Sequence, residues 1–192
     1  MPATILGIYV GPTAITWTLI DCDFNVLAWD SIIWWSNSLI YDILDLVPVF
    51  VQQLPLSSCY VMEEIKINTK SYHTSSIMQQ QIASSIACCI KLIIYQRTNN
   101  SNSLSNILYI LKPLTTARFF DLLLSSEVIA VDYIMRKILD DTKIDDEWLQ
   151  HIHIAYELKR KYMKKVPVER EQMGQSLLTT LAYLCIIRSY IS

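Results

Sequence analysis

The chain has 192 residues, a formal net charge of −2 and 52% hydrophobic residues, which suits one compact domain spanning residues 1–192. Its only three glycines are Gly7, Gly11 and Gly174, so it contains neither a G-x-G-x-x-G dinucleotide-binding loop nor a G-x-x-x-x-G-K-[ST] phosphate-binding loop. The near-neutral charge argues against a domain that binds nucleic acid by electrostatics alone, and five cysteines without a C-x-x-C pair argue against a zinc site.

The first third of the chain predicts three strands. Thr4–Val10 and Ala14–Asp21 are rich in apolar and β-branched residues, and residues 25–34 continue this composition. The short polar turn at Asp21-Cys22-Asp23 joins the second and third segments. Consecutive strands with short connections predict an antiparallel meander.

The middle of the chain predicts two helices and one strand. Residues 39–54 have helical spacing with Pro48 as a kink or a break, and Cys59–Glu63 reads as a buried parallel strand. Residues 74–96 predict a long helix with two apolar stripes, of which one can cover the sheet. The other stripe needs a different partner, and another copy of the chain is one candidate. The stripe that we expect at a dimer interface consists of Met78, Ile82, Ile86, Cys89 and Ile93.

This helix is not expected to cross a membrane. Its most apolar stretch, residues 82–95, is shorter than the roughly 20 residues that a membrane span needs. That stretch also contains Ser84, Ser85 and Lys91. We therefore expect no membrane partner.

The last part of the chain predicts one more strand and several helices. A polar loop at residues 98–105 precedes the strand Ile107–Leu111. Helices are predicted over residues 115–124, 127–139 and 145–165, and a terminal amphipathic helix over residues 171–190 follows a break at Pro167. The element order predicts an α/β fold with a mixed five-stranded sheet, an antiparallel meander followed by parallel strands, flanked by helices.

Three segments resemble the motifs of one fold. Residues 8–17 (IYVGPTAITW) resemble the opening of mitochondrial Holliday junction resolvases, and residues 60–64 (YVMEE) resemble the strand that carries their second acidic residue. Residues 171–178 (EQMGQSLL) resemble their terminal D-D-x-A-D-S-L-L helix. The resemblance implies a ribonuclease H-like fold whose carboxylates hold two divalent ions about 3.5–4 Å apart to cleave phosphodiesters.

The carboxylates of that site are mostly replaced in this sequence. Tyr9 stands where the first Asp of the family belongs, and Gln172 and Gln175 stand where helix carboxylates belong. Only Glu63 matches cleanly. We expect these four residues to mark a vestigial nuclease site, with no metal, no cofactor and no catalytic residue.

An active enzyme is the alternative. A divergent metal-dependent Holliday junction resolvase would need a rebuilt metal site, for which Glu63, Glu64 and Glu171 are the available carboxylates.

The closer resemblance is to the C-terminal domain of mitochondrial transcription elongation factors, which looks like a resolvase that has lost its carboxylates. Residues 27–30 (LAWD) and 116–123 (TARFFDLL) are also similar to that domain. The resemblance implies a homodimer in the mitochondrial matrix that binds mitochondrial RNA polymerase and promotes elongation. Because this chain has neither the family's helix-hairpin-helix module nor a transit peptide, we expect a C-terminal fragment or a truncated relative.

Basic side chains cluster near the terminal helix and have two interpretations. They form either a solvated helix end or a contact surface for a nucleic acid or a partner. At a net charge of −2 we expect nucleic acid to bind weakly, or only within a larger complex. The cluster consists of Lys159, Arg160, Lys161, Lys164, Lys165 and Arg170.

The pair His151 and His153 is not expected to bind a metal. On the predicted helix 145–165 two residues at i and i+2 diverge, whereas on a strand both would face one side.

Overall fold

The protein was analysed as a computed structural model, which describes residues 1–34, 40–65, 74–100, 107–124, 127–128, 130–140 and 151–191. The strands are β1 (Thr4–Val10), β2 (Ala14–Asp21), β3 (Asn25–Ile33), β4 (Cys59–Glu63), β5 (Ile107–Leu111), β6 (Leu123–Leu124), β7 (Glu127–Val128) and β8 (His153–Ile154). The helices are α1 (Ile40–Gln53), α2 (Thr74–Asn100), α3 (Thr115–Phe119), α4 (Asp132–Leu139), α5 (Tyr156–Met163) and α6 (Pro167–Ile191). Three strands come first, and helices and strands then mostly alternate along the chain, except at the pairs β6–β7 and α5–α6.

The main sheet is mixed and has the strand order β5-β4-β1-β2-β3-β8. The pairs β1–β2 and β2–β3 are antiparallel, whereas β1–β4, β4–β5 and β3–β8 are parallel. The predicted α/β architecture, a meander followed by parallel strands, is confirmed. The described residues give this sheet six strands rather than the predicted five, because β8 adds to the edge formed by β3.

The prediction of one helix over residues 145–165 is wrong around β8. Ile152 and Ile154 are buried while His151 and His153 are exposed, which is the two-residue period of a strand. His153 and Ile154 pair with Asn25 and Val26 on β3, and the helix begins only at Tyr156. Residues 141–150 lie outside the described part of the chain.

Three other predicted helix boundaries are corrected. Helix α3 ends at Phe119, and the residues that follow include Asp121 with a positive φ of 52° and the short hairpin β6–β7. Helix α4 begins at Asp132, so the predicted helix 127–139 starts too early. Helix α6 begins at Pro167, where the missing N–H costs no helical hydrogen bond, so this proline opens a helix instead of breaking the chain.

Helices α1 and α2 cover one face of the sheet. Leu6, Ile8 and Val10 alternate along β1 and belong to the same core as Ile82 and Ile86 of α2. Within the described residues one stretch of helix, Ser76–Gln96, is long and apolar enough to cross a membrane by length and composition. Of its most apolar part 22% is buried, and the buried isoleucines belong to the core that covers this face of the sheet.

Helix α6 covers the other face at unusually close range. A Cβ built on Gly7 would lie 1.8 Å from the Thr180 hydroxyl oxygen and 2.9 Å from the Ser176 carbonyl oxygen. Thr180 donates to that same carbonyl at 2.6 Å. The helix can therefore reach β1 only because position 7 has no side chain.

Buried hydroxyl groups fix the register of α6 on β2. The Thr16 hydroxyl donates to the Gln172 carbonyl at 2.8 Å, and the Thr18 and Ser176 hydroxyls lie 2.8 Å apart. All of these side chains are at most 4% exposed. Each hydroxyl keeps a partner, so the polar groups are buried without a lost hydrogen bond.

The turn between β2 and β3 is organised by one carboxylate, as the sequence predicts. Asp21 accepts hydrogen bonds from the backbone N–H groups of Asp23 and Asn25, each at 2.9 Å, and from the Asn25 side chain at 2.8 Å. Burial favours the neutral acid, but these hydrogen bonds and the nearby His153 outweigh it and lower the pKa of Asp21.

Replacing Gly7 by alanine should destabilise the protein strongly. The added methyl group would meet Thr180 and the backbone of Ser176, and overpacking of this kind costs about 3 kcal/mol. Chemical denaturation of Gly7→Ala measures the loss. The double variant Gly7→Ala/Thr180→Ala should recover part of it, because the contact with the hydroxyl is removed; no recovery would contradict the assigned contact.

Replacing Asp21 by asparagine should change how stability depends on pH. The folded-state pKa lies below the ordinary value of 3.8, so the ionised carboxylate stabilises the fold fully above about pH 5 and loses this effect as the pH falls through the folded pKa. Thermal unfolding of both proteins from pH 2.5 to 7 tests this. The difference in melting temperature should shrink in acid, and a constant difference would contradict the role of the charge.

Candidate functional site

The sheet and α6 bring the predicted site positions to one edge of the sheet. Strands β1 and β4 are parallel, so Tyr9 near the end of β1 and Glu63 at the end of β4 lie at the same edge. Helix α6 crosses this edge with Gln172, which contacts the turn between β1 and β2. The structure therefore brings Tyr9, Glu63 and Gln172 to one edge, and Gln175 follows one turn later on α6.

Tyr9 occupies the middle of this edge as a neutral phenol. Burial raises its pKa to about 12, and the negative charges of Glu171 and Glu63 contribute to the rise. The side chain thus stays protonated at neutral pH. A protonated phenol offers a cation far less than the carboxylate that the family has at this position.

Glu63 is held by α3. Its Oε2 atom accepts hydrogen bonds from the backbone N–H of Thr116, at 2.9 Å, and from the Thr116 hydroxyl. The same hydroxyl lies 3.2 Å from the Thr179 hydroxyl on α6. The carboxylate therefore satisfies an N–H in the first turn of α3 and links β4 to two helices.

Gln172 uses both ends of its amide. Oε1 accepts from the N–H of Ala14 at 2.8 Å and from that of Thr13 at 3.4 Å, and Nε2 donates to the Thr13 hydroxyl at 2.6 Å. A Cβ on Gly11 would lie 2.1 Å from Oε1, so this glycine makes room for the amide. The side chain is 4% exposed. A glutamate could not make the donated bond.

The remaining carboxyl and amide side chains are more exposed. Gln175 is half-buried on α6, and Glu64 and Glu171 are exposed. Of the carboxylates available for a rebuilt site, Glu63 and Glu171 both act electrostatically on Tyr9.

These donors do not fit a pair of divalent cations. The phenol of Tyr9 and the amides of Gln172 and Gln175 are neutral, and Glu63 is engaged by Thr116. In the described part of the chain, no three His, Cys, Asp or Glu side chains lie close enough to hold a metal ion. Two ions with four positive charges would therefore lack compensating oxygen ligands.

The basic cluster separates into paired and exposed groups. Lys161 forms an ion pair with Asp30 at 2.5 Å, and Lys165 forms one with the buried Glu169 at 2.7 Å. Lys165 also donates to the Ser31 hydroxyl at 3.0 Å. These two lysines fasten α5 and α6 to β3.

The other basic residues are placed differently. Arg160 and Lys164 are exposed, whereas Lys159 and Arg170 are half-buried beside a cavity between α4, α5 and α6. The six side chains therefore do not form one continuous basic surface.

Two of the five residues predicted for a dimer interface are fully buried inside the chain. Ile82 and Ile86 have no exposed surface, because they contact the sheet. Met78, Cys89 and Ile93 are half-buried at the margin of the same core. Ile82 and Ile86 therefore have nothing to offer a second copy, and any contact through α2 uses its other side.

Sequence reasoning missed the hydroxyl residues of the site. Thr16 and Thr18 bond α6, and Thr116 holds Glu63. Thr16 and Thr18 stand at alternate positions of an otherwise apolar strand, which was the available signal for a polar contact on one face.

Comparison with solved structures identifies the fold. The chain is similar to the yeast mitochondrial Holliday junction resolvase Ydc2, with a TM-score of 0.61 and 13% identity over 94% of this chain and 78% of that one. It is also similar to Thermus thermophilus RuvC in complex with a Holliday junction substrate, with a TM-score of 0.52 and 10% identity over 97% and 96% of the two chains. Another Thermus thermophilus RuvC structure gives a TM-score of 0.52 at 9% identity with the same coverage.

No family model and no curated protein sequence matches the chain. None of these three structures is a transcription elongation factor, so that part of the resemblance stays a prediction. The chain has the ribonuclease H-like fold of Holliday junction resolvases.

Replacing Glu63 should cost stability through the loss of its hydrogen bonds. Glu63→Ala removes the acceptor of the Thr116 N–H and hydroxyl, which should lower the free energy of unfolding by about 1–2 kcal/mol. Glu63→Gln keeps one acceptor oxygen and should lose less. Denaturant titration ranks the three proteins. Equal stability of wild type and Glu63→Ala would contradict the capping role.

Proposed function

We propose that the chain is a non-catalytic domain built on the resolvase fold, which dimerises and binds the mitochondrial RNA polymerase complex to promote elongation. The observation that carries the non-catalytic part is the buried amide of Gln172. It donates to Thr13 and accepts from Ala14 at the position where the family has a carboxylate. A neutral amide satisfies these groups at a 4% exposed position without burying a charge, which favours a structural role for this position over a metal-binding one.

An apolar surface supports a role in protein binding. A groove of about 890 Å³ lies between α2 and β5, and its lining includes Leu92, Tyr95 and Ile110. These three side chains are 61%, 66% and 52% exposed. Exposed apolar patches of this kind mark protein interaction sites, and β5 is an edge strand of the main sheet. We assign this groove to the second copy of the chain.

Mitochondrial RNA polymerase as the partner, and the mitochondrial matrix as the location, are both proposed from the resemblance of the sequence to mitochondrial elongation factors. The similarity to the yeast mitochondrial resolvase in fold is compatible with this origin.

A cleavage assay tests the non-catalytic part. The chain should leave a four-way DNA junction intact with Mg²⁺ or Mn²⁺, since its phenol and amides supply no charge to hold the ions. A Holliday junction resolvase on the same junction is the positive control. Metal-dependent cleavage that disappears in Glu63→Ala would overturn the proposal.

A second assay tests the dimer and the partner. Leu92→Glu should convert the dimer to a monomer in analytical ultracentrifugation, because it places a charge in the apolar groove. Leu27→Glu is the matched control, since Leu27 is also 50% exposed but lies on β3. A monomeric wild-type chain would contradict the proposed dimer.

The wild-type chain should also bind mitochondrial RNA polymerase and lengthen its transcripts. An unchanged transcript length would contradict the proposed role in elongation.

One observation favours the alternative of a divergent active resolvase. Glu63 and Glu171 both raise the pKa of Tyr9, so two carboxylates approach one point of the cleft. Calorimetric titration with Mn²⁺ separates the two functions. A tight site that is lost in Glu171→Gln would support the enzyme, and absence of binding heat would support the non-catalytic domain.

A further inference from the structure

A cavity lies on the outer side of α6, where α4, α5 and the start of α6 meet. Its volume is about 590 Å³, within the size range of ligand pockets. Met135, Leu139 and Met163 contribute its apolar wall, and the Tyr162 side chain lines it as well. None of the positions of the vestigial site lines this cavity, so it is a separate feature of the fold.

Arg170 is one of two basic side chains, with Lys159, that α5 and α6 contribute to this cavity. Its side chain is half-buried in the wall, and its Nε atom is shielded from solvent without any hydrogen-bond partner. A buried donor on a charged group is costly to leave unpaired. A carboxylate in the cavity matches the charge and the planar geometry of the guanidinium group as a whole.

The other charges of the cavity limit what can bind. Asp132 and Arg136 form an ion pair at 2.6 Å and largely neutralise each other. Asp140 also lines the cavity. A chain of phosphates would lie close to the carboxylates of Asp132 and Asp140 and be repelled by them. A single carboxylate can bind Arg170 without such extended contact.

The surroundings favour an acidic partner with apolar side chains. Met163 is 59% exposed at the cavity, and Val166 and Val168 are exposed at the turn into α6. Arg160 and Lys164 are exposed between and beside these apolar groups. Apolar contact and positive charge therefore stand next to each other on one surface.

We propose that this cavity is a docking site for an acidic segment of a protein partner. One carboxylate of the segment binds Arg170, and an adjacent apolar side chain packs against Leu139 and Met163, above the fully buried Met135. The proposal deepens the proposed role as a protein-binding domain and rests on it only for the partner being a protein. Peptide binding without polymerase binding would refute the polymerase as partner and leave the site intact.

Methionine methyl NMR on the full chain tests the site. The chain has six methionines, of which Met135 and Met163 line the cavity and Met62 lies in the core under α1 and α2. The probe is the capped peptide GDLFDG, and its neutral analogue GNLFNG is the matched control. The acidic peptide should shift the Met135 and Met163 signals and leave Met62 unchanged, and the neutral peptide should shift neither.

Two variants identify the contacts. Arg170→Gln should weaken binding of the acidic peptide by at least about tenfold, because it removes the charged donor. Met163→Glu should weaken it similarly by placing a negative charge at the mouth, and its exposed position keeps it informative if Arg170→Gln fails to fold. Lys112→Gln removes a positive charge from an exposed position between β5 and α3 and should leave binding unchanged.

Three outcomes would overturn the proposal. Neither peptide shifts Met135 and Met163 at millimolar concentration, or both peptides shift them equally. Alternatively, a 20-base-pair DNA duplex shifts these signals and displaces the acidic peptide, which would assign the surface to nucleic acid.

Discussion

The close contact between α6 and the first two strands is the constraint on which the rest of the structure depends. Gly7 and Gly11 remove the side chains that would otherwise keep the helix away, and the gap is filled by Thr180 and the amide of Gln172. Hydroxyl groups of β2 then bond the helix backbone directly. Because α6 packs this closely, its first turns cross the edge of the sheet at the ends of β1 and β4. The position of α6 therefore determines which side chains meet at this edge.

The same contact shows how the resolvase fold can be held together without the carboxylates of the resolvase site. The fold needs a helix at this distance, and uncharged groups meet that need through hydrogen bonds within the protein. Carboxylates at the same positions would require cations to neutralise them. In this chain Gln172 bonds a turn, Glu63 bonds α3 and Tyr9 remains a half-buried, protonated phenol, so the edge is stabilised by its own side chains.

Much of the fold could be predicted because its signals are local. The bounds of β1, β2, β4 and β5 follow from runs of apolar residues between turn residues, and the turn at Asp21 follows from its short polar side chains. The identity of the site positions came from the resemblance to resolvases. What could not be predicted depends on distant partners. Strand β8 has two residues and exists through pairing with Asn25 and Val26, more than a hundred residues earlier. The role of Gln172 depends in the same way on Thr13 and Ala14.

Thermal unfolding of Gln172→Glu with and without Mn²⁺ tests the central claim most directly. If the amide is structural, the substitution removes the bond donated to Thr13 and buries a carboxylate beside Gly11, which should lower the free energy of unfolding by about 2 kcal/mol. Mn²⁺ should not restore the loss. A variant as stable as the wild type would contradict the structural role of the amide, and a melting temperature that rises on addition of Mn²⁺ would show that this edge of the sheet can still assemble a metal site.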